Sequence, residues 1–216
     1  MADAVLRLLE PAEALPKAPE PPSEPGRPLW SLVEPGRLVE LSAPAHGPGA
    51  RFSTAAMLVR RAQQEGETTV WVQPTGGSLY PPDLHAAHID LDALVVVHVP
   101  RELGVVGLGK ATELLLRSGA FGMVVVDLGP TEPRASTAWQ GRLLGLARQH
   151  ESRVVLITTK PTHADSLGPL VGLRIEPRRE RVGDGEFVVR HHVLKNKSGG
   201  PGTPAIDRFI GPPGLR

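Results

Sequence analysis

The segment at residues 42–54 could bind a phosphate group, because it places a glycine-containing loop between an apolar strand pattern and a helical pattern. A phosphate-binding loop of this kind needs backbone N–H donors, a lysine that reaches the β- and γ-phosphates, and a hydroxyl for Mg²⁺. The lysine and the hydroxyl are missing at the required spacing, and Pro48 removes one N–H donor. The sequence therefore predicts a degenerate nucleotide site. Its loop residues are Gly47, Pro48, Gly49, Ala50 and Arg51.

Asp127 is the second candidate for nucleotide chemistry. It is the last residue of the apolar segment 122–127. In nucleotide-binding proteins, an acid that helps to bind magnesium lies at the same place, at the end of an apolar strand. By itself, however, an acid after an apolar strand is more often structural than catalytic. We therefore assign Asp127 to the degenerate nucleotide site and predict no catalytic residue.

The last third of the chain holds its most basic stretch. The basic residues there are Arg174, Arg178, Arg179, Arg181, Arg190, Lys195 and Lys197, and four acids, Glu176, Glu180, Asp184 and Glu186, offset part of their charge. Two interpretations stay open: a solvated strand edge with scattered charge, or a docking face for a partner. The candidate partner-binding residues are Arg178, Arg179, Lys195 and Lys197.

These residues need a framework, and the hydrophobic pattern predicts one. Strand patterns at 37–42, 68–73, 94–100, 122–127 and 153–158 alternate with helical patterns at 52–65, 110–118 and 135–149. Such alternation is typical of a mostly parallel α/β sheet covered on both faces. Strands at 170–177, 186–195 and 205–210 follow without a helix between them, and the turn sequence at 183–185 favours a hairpin. We expect them to extend the sheet as antiparallel strands.

Composition limits the class of protein and divides the chain. The 216 residues carry a net charge of +1, with 24 glycines, 23 prolines and no cysteine, which excludes a disulfide framework and cysteine catalysis. No apolar run has the length of a membrane span, so we expect a cytoplasmic protein without a membrane partner. We predict a short helix and proline-rich linker at 1–35, a core domain at 36–198, and a Gly/Pro-rich tail with a possible edge strand at 199–216. Val5, Leu6, Leu8 and Leu9 form a short apolar anchor for docking.

Five segments in order resemble the bacterial RecA recombinase core. They are GRLVELSAP at 36–44, HIDLDAL at 88–94, ELLLRSGAFGMVVVD at 113–127, VGLRIEPRR at 171–179 and VLKNK at 193–197. The resemblance covers most of residues 36–197 and implies a RecA-like fold. In RecA filaments, paired lysines matching Lys195 and Lys197 reach the nucleotide of the neighbouring subunit, and an N-terminal helix packs on the next subunit.

The departures from RecA imply that this chain is not an enzyme. The lysine of the phosphate-binding loop and the threonine after it are missing, Thr75 lies near the position of the family's catalytic glutamate, and Thr159-Lys160 replace the glutamine that senses the γ-phosphate. Phosphoryl transfer depends on positioned groups, so these losses together should remove hydrolysis. Both DNA-binding loops of the family also look shortened here. We therefore expect a RecA-like pseudo-ATPase with no cofactor.

Small RecA-like proteins without a working phosphate-binding loop form the ImuA family, which is related to the cell-division inhibitor SulA. This chain resembles that family. The resemblance implies a role in SOS-type DNA damage tolerance and translesion mutagenesis. Its partners would be the RecA filament and a mutasome polymerase or inactive-polymerase subunit.

Other functions stay open. The chain could be a weak single-stranded DNA binder that mediates recombination, with Trp139, Arg134 and Arg142 near the first shortened loop. It could also be a divergent ATPase in which Arg51 or Lys110 replaces the missing lysine. We predict no metal site, because His191 and His192 are adjacent in a strand and point to opposite faces.

Overall fold

The computed structural model describes residues 29–129, 136–199 and 206–210. Within these ranges the strands are β1 (Arg37–Leu41), β2 (Thr69–Pro74), β3 (Leu94–Val99), β4 (Met123–Asp127), β5 (Arg153–Ile157), β6 (Leu173–Arg181), β7 (Glu186–Asn196) and β8 (Ile206–Ile210). The α-helices are α1 (Arg51–Gln64), α2 (Pro81–Ala86), α3 (Gly104–Arg117) and α4 (Thr137–Gln149). The strands form one α/β sheet of order β3-β2-β4-β5-β1-β6-β7-β8.

The first five strands are parallel, as predicted, and β6, which was expected to be antiparallel, is also parallel because it pairs directly with β1. Strand β1 lies between β5 and β6, with Leu38 opposite Val154 and Val39 opposite Leu173. All five residues of β1 and of β4 are buried. Helices therefore cover both faces of the central strands, which explains why these segments are nearly continuous apolar runs.

The antiparallel extension predicted for the last third is confirmed for β7 and β8. Strand β6 pairs with β7 along its whole length, and β7 pairs with β8. At the hairpin turn, the Val182 N–H donates to the Glu186 carbonyl at 3.0 Å, and Gly185 has a φ of 72°. A positive φ of this kind suits glycine, which has no Cβ to clash.

Two apolar clusters cover the two faces of the sheet. One joins α1 and α2 to sheet residues such as Leu41, Trp71 and Met123. The other joins α3 and α4 to Val72, Val126 and their neighbours. The helix after β1 and the helix after β4 thus lie on opposite faces, and in open α/β sheets ligands bind at the carboxyl ends of the strands where the helices change face.

Some element boundaries differ from the predictions. Helix α3 begins at Gly104 rather than at residue 110, because three glycines in its first two turns hide the helical pattern. Helix α2 was not predicted, since two prolines begin it. Strand β6 begins at Leu173, three residues later than expected.

Residues 29–33 pack into the core. Leu29–Leu32 form a 3-10 helix, and Leu29, Leu32 and Val33 are buried. The side chains of Arg37 and Arg153 donate to the carbonyls of Leu32 (3.2 Å) and Val33 (2.8 Å). The linker predicted at 1–35 overlaps this segment, so the packed core includes residues before the boundary predicted at 36.

Part of the predicted organisation lies outside the described residues. The apolar anchor of Val5, Leu6, Leu8 and Leu9 lies there, and so does the tail at 199–216 except for Gly199 and β8. None of the helices within the described ranges has the length and apolar character needed to cross a membrane.

Candidate functional site

The predicted nucleotide loop follows β1, as expected, but its backbone is hydrogen-bonded to β6. A β-bridge joins Gly49 to Arg178 of β6. Its hydrogen bonds run from Ala50 N to the Pro177 carbonyl and from Arg179 N to the Pro48 carbonyl, both at 3.0 Å. Nearer β1, Ser42 N donates to Ile175 O at 2.9 Å and Ala43 N donates to Lys160 O at 3.0 Å. Within the predicted loop, the Ala50 N–H thus already has a carbonyl partner and is not open to a phosphate.

The loop also packs tightly against itself. A Cβ at Gly49 would lie 2.8 Å from Cδ of Pro44, so no larger residue fits there without movement. The Ala45 N–H donates to Thr162 Oγ1 at 3.0 Å and ties the loop to the segment after β5. Gly47 has a φ of 80°, and a Cβ there would meet no atom within 4 Å. The loop is therefore held on both sides of Gly47.

Arg51 lies across the carboxyl ends of β4 and β5. Its Nη1 donates to the carbonyl of Thr158 at 2.5 Å, and its charge interacts with Asp127. Burial lowers the pKa of Arg51, while the attraction of Asp127 opposes this effect. The guanidinium therefore lies at the carboxyl ends of β4 and β5, where the degenerate nucleotide site was predicted.

Asp127 is buried at the end of β4, with 5% of its surface exposed. Its Oδ1 accepts a hydrogen bond from the Gly129 N–H at 2.9 Å. Burial raises the pKa of Asp127, while that hydrogen bond and the charge of Arg51 lower it to a smaller extent. Arg51 and Asp127, the two charged residues assigned to the predicted nucleotide site, thus lie close enough for their charges to interact.

Thr75 is hydrogen-bonded to the end of β3. It lies just after β2, where its N–H and Oγ1 both donate to the Val99 carbonyl, at 2.8 and 3.3 Å. This pairing ties the carboxyl end of β2 to the end of β3. Thr75 is thus held at the end of the sheet by hydrogen bonds to the protein itself.

The two predicted partner-binding lysines contact their own chain. Lys195 Nζ donates to Ser166 Oγ at 2.8 Å and to the Gly168 carbonyl at 3.1 Å. Lys197 Nζ donates to the Pro169 carbonyl. Burial lowers the pKa of Lys195, and the nearby charge of Lys197 lowers it further. Both ammonium groups hold the loop between β5 and β6, here called the β5–β6 loop (residues 158–172).

A buried charged network beneath this loop was not predicted. Glu40 of β1 is fully buried and accepts hydrogen bonds from Thr158 Oγ1 at 3.0 Å and Leu167 N at 2.8 Å. Arg174 lies 3.8 Å from Glu40 and donates to the Pro161 carbonyl at 2.7 Å. Charged residues inside otherwise apolar strands were the signal that could have revealed it, since buried charges require partners.

The two predicted partner-binding arginines differ in exposure. Arg178 is partly buried, and its Nε donates to Glu176 Oε1 at 2.5 Å. Arg179 is exposed, and its guanidinium lies 4.9 Å from the centre of the Phe187 ring. Arg179 and Lys197 are therefore the most accessible of the four predicted C-terminal residues.

His191 joins three elements. It is buried on the α1 side of β7, where its Nε2 lies 3.2 Å from Thr54 Oγ1 and its Nδ1 lies 3.4 Å from Asp207 of β8. Thr54 is completely buried, so the arrangement gives a substrate no access to this hydroxyl. Within the three described ranges, no group of three or more His, Asp or Glu side chains could hold a metal ion.

At the carboxyl ends of the strands, the charged and polar groups thus contact the protein itself. The loop after β1 is hydrogen-bonded to β6, Arg51 donates to Thr158, and Lys195 holds the β5–β6 loop. Comparison of the whole chain with models of known protein families and with curated protein sequences finds no match.

Proposed function

We propose that this chain is a non-catalytic RecA-like protein that acts in the cytoplasm in SOS-type DNA damage tolerance and translesion mutagenesis. It would bind the RecA filament and a mutasome polymerase or inactive-polymerase subunit. The proposal combines the resemblance of residues 36–197 to the RecA core with the geometry of the degenerate nucleotide site. The mostly parallel sheet with antiparallel strands in the C-terminal third is the architecture that the resemblance implies.

The observation that carries the proposal is the position of Arg51. A nucleotide site needs open backbone donors and a cation aimed at the phosphates, since phosphoryl transfer depends on positioning and electrostatics. Here the Arg51 guanidinium donates to Thr158 O, and the Ala50 N–H donates to Pro177 O. These contacts favour a protein that acts by binding partners over one that turns over ATP.

The first experiment measures ATP hydrolysis and nucleotide affinity of the full chain, with RecA as the positive control. We expect turnover at background and weak or undetectable binding by isothermal titration with ATP and Mg²⁺. Turnover close to that of RecA, abolished by Asp127→Asn, would support the divergent ATPase instead.

Contact with RecA is proposed to use the accessible basic residues near the carboxyl end of β7. If Lys197 reaches a nucleotide held by a neighbouring RecA subunit, its ammonium exchanges the Pro169 carbonyl for a phosphate oxygen, a charge-assisted contact. Docking should then be favoured by non-hydrolysable ATP on the filament and weakened by salt. Lys195 would contribute less directly, because it is more deeply engaged with Ser166 and Gly168.

A co-sedimentation experiment with RecA filaments tests this contact. Lys197→Ala should weaken binding and leave the melting temperature unchanged, whereas Lys110→Ala, an exposed lysine on α3, is the matched control. Lys195→Ala should weaken binding but also lower stability, since it removes two hydrogen bonds to the β5–β6 loop. Equal binding by Lys197→Ala and the parent would place the interface elsewhere.

The anchored β5–β6 loop bears on the single-stranded DNA alternative. A DNA-binding loop needs aromatic or basic side chains free to meet the strand. In this loop, Lys160 O and Thr162 Oγ1 accept hydrogen bonds from the loop after β1, and Leu167 N donates to Glu40. Fluorescence anisotropy with labelled oligo-dT decides between the two functions, and salt-sensitive binding abolished by Arg142→Ala would support the DNA binder.

A further inference from the structure

A positively charged depression lies between α3 and α4, on the face of the sheet opposite α1. It has a volume of about 350 Å³ and is open to solvent. Arg117 and Glu113 of α3 line one side, and Arg142 and Leu146 of α4 line the other. Gly141 and Gly145 form part of its lining, so the α4 backbone is accessible between the charged side chains.

One buried carboxylate holds both arginines of this depression. Glu113 Oε1 lies 2.6 Å from Arg117 Nη2, and Glu113 Oε2 lies 3.2 Å from Arg142 Nε. The carboxylate is 9% exposed, whereas the arginine side chains are 61% and 54% exposed. Each guanidinium carries five N–H donors, so most donors of both groups face solvent. The cluster keeps one uncompensated positive charge.

Three other exposed arginines in the described part of the chain each pair with a carboxylate of their own. On the β6–β7 hairpin, Arg181 pairs with Asp184 at 3.2 Å and Arg190 pairs with Glu180 at 3.1 Å. On α1, Arg61 pairs with Glu65 at 3.0 Å. The depression between α3 and α4 therefore differs from these sites in having two arginines on one acid, and an additional carboxylate would complete it.

The chain itself contains a matching acidic segment. Residues 10–24 hold four glutamates, Glu10, Glu13, Glu20 and Glu24, against one lysine, Lys17. The described chain begins at Leu29, beside the amino ends of β1 and β5, and α4 ends at the same edge of the sheet. The Arg148 backbone of α4 lies there, since a Cβ at Gly36 would be 3.3 Å from its Cα.

We propose that the depression between α3 and α4 is a docking site for the acidic segment 10–24 of the same chain, with glutamate side chains binding Arg117 and Arg142. A tether keeps the local concentration of the segment in the millimolar range, so a weak charge-assisted contact is enough. Four residues lie between Glu24 and Leu29, and the five Cα–Cα steps that join them reach about 17 Å in an extended chain. This contact does not depend on the proposed function.

Paramagnetic relaxation in the full chain tests the contact, because the natural sequence has no cysteine. Ala18→Cys therefore gives one site for a nitroxide label within the acidic segment. We expect broadening of the Gly141 and Gly145 amide signals. It should disappear at about 1 M salt, where the Debye length is about 3 Å.

Variants in the same experiment identify the contact. Arg142→Gln should reduce the ratio of docked to undocked segment by about tenfold, the effect of losing a charge-assisted hydrogen bond. Gly145→Gln should also prevent docking, because a Cβ there meets no atom within 4 Å and the side chain can enter the depression without disturbing the core. Arg61→Gln on α1 is the matched control and should leave the broadening unchanged.

Four outcomes would overturn the proposal. They are no broadening on α4, strongest broadening elsewhere, insensitivity to Arg142→Gln, and broadening that occurs only between chains in a mixture of labelled and isotope-enriched protein. The last result would assign the depression to a second copy or to an acidic partner. Circular dichroism and melting temperature of each variant show that a lost contact is not a lost fold.

Discussion

At the residue scale, Arg51 is the side chain whose contacts matter most where a degenerate nucleotide site was predicted. Its guanidinium joins the start of α1 to the carbonyl of Thr158, 107 residues away in the sequence, and lies near the buried carboxylate of Asp127. The positive charge of Arg51 therefore stabilises the ends of β4 and β5 through Asp127 and the Thr158 carbonyl. From the sequence alone, an arginine at this position could equally bind a ligand or stabilise the fold. The contact with Thr158 distinguishes these two roles.

Replacing Arg51 with alanine should destabilise the fold. Arg51→Ala removes the hydrogen bond to Thr158 O and leaves Asp127 without a nearby cation, so we expect a loss of about 2 kcal/mol in the free energy of unfolding, measured with urea. Arg61→Ala, which removes an exposed pair with Glu65, should cost less than about 0.5 kcal/mol. Equal stability of Arg51→Ala and the parent would show that the contact contributes nothing to the fold.

Asp127 should make stability depend on pH. Folding raises the pKa of Asp127, mainly through burial, so the folded state favours the protonated carboxyl. Stability from this group is therefore present below its unfolded pKa of about 4 and is lost as the pH rises through the folded pKa. Relative to the parent, Asp127→Asn should gain stability over that range, by about 1.4 kcal/mol for each unit of raised pKa.

Urea unfolding of the Asp127→Asn variant and the parent at several pH values measures this difference. A variant that loses stability relative to the parent as the pH rises would reverse the sign. It would show that the attraction of Arg51 outweighs the cost of burial.

At the element scale, the glycines of α3 and α4 serve different purposes. A Cβ at Gly109 of α3 would lie 2.2 Å from Nε1 of Trp139, so this glycine lets the two helices approach. A Cβ at Gly145 of α4 meets no atom within 4 Å. Packing therefore requires glycine at 109 but not at 145.

This difference predicts opposite effects of one substitution. Gly109→Ala should lower the free energy of unfolding by about 1–3 kcal/mol, because a rigid indole and two packed helices must move. Gly145→Ala should raise it by about 1 kcal/mol, the helix-propensity difference between the two residues. Chemical denaturation of both variants measures these changes, and destabilisation by Gly145→Ala would show that α4 needs its glycine for the fold.

At the scale of the whole molecule, the described core begins before the first strand. The 3-10 helix at Leu29–Leu32 covers one end of the sheet and is held by Arg37 and Arg153, with the Arg153 guanidinium 4.2 Å from the centre of the Trp30 ring. The chain is therefore attached to the core at this point.

Two truncations should separate the core from the segment before it. Deleting residues 1–28 should leave the melting temperature nearly unchanged while weakening association with partners. Deleting residues 1–34 also removes Leu29, Leu32 and Val33 from the apolar cluster and should cost on the order of 5 kcal/mol. Thermal unfolding compares the two, and similar melting temperatures would show that residues 29–33 add little to the core.

The sequence alone determined most of the strands and helices and the mostly parallel type of sheet. Strands β1, β4 and β5 were predicted to within one residue at each end, because their apolar runs and the turns around them are local signals. The antiparallel extension was predicted from the absence of helices after residue 170 and from the turn at 183–185. The sequence also shows directly that the loop after β1 has a proline at 48 and lacks the lysine that a phosphate-binding loop needs.

Only the tertiary structure decided what the charged residues contact. Lys195 was predicted to face a partner, yet it donates to Ser166 and Gly168, and Arg51 contacts the end of β5. The same residue types could equally have met solvent, a ligand or another chain. Their partners depend on strand order, since β5 and β6 lie on either side of β1 and bring segments more than 100 residues apart in the sequence to one end of the sheet. Local patterns determine each element, whereas long-range pairing determines which side chains meet.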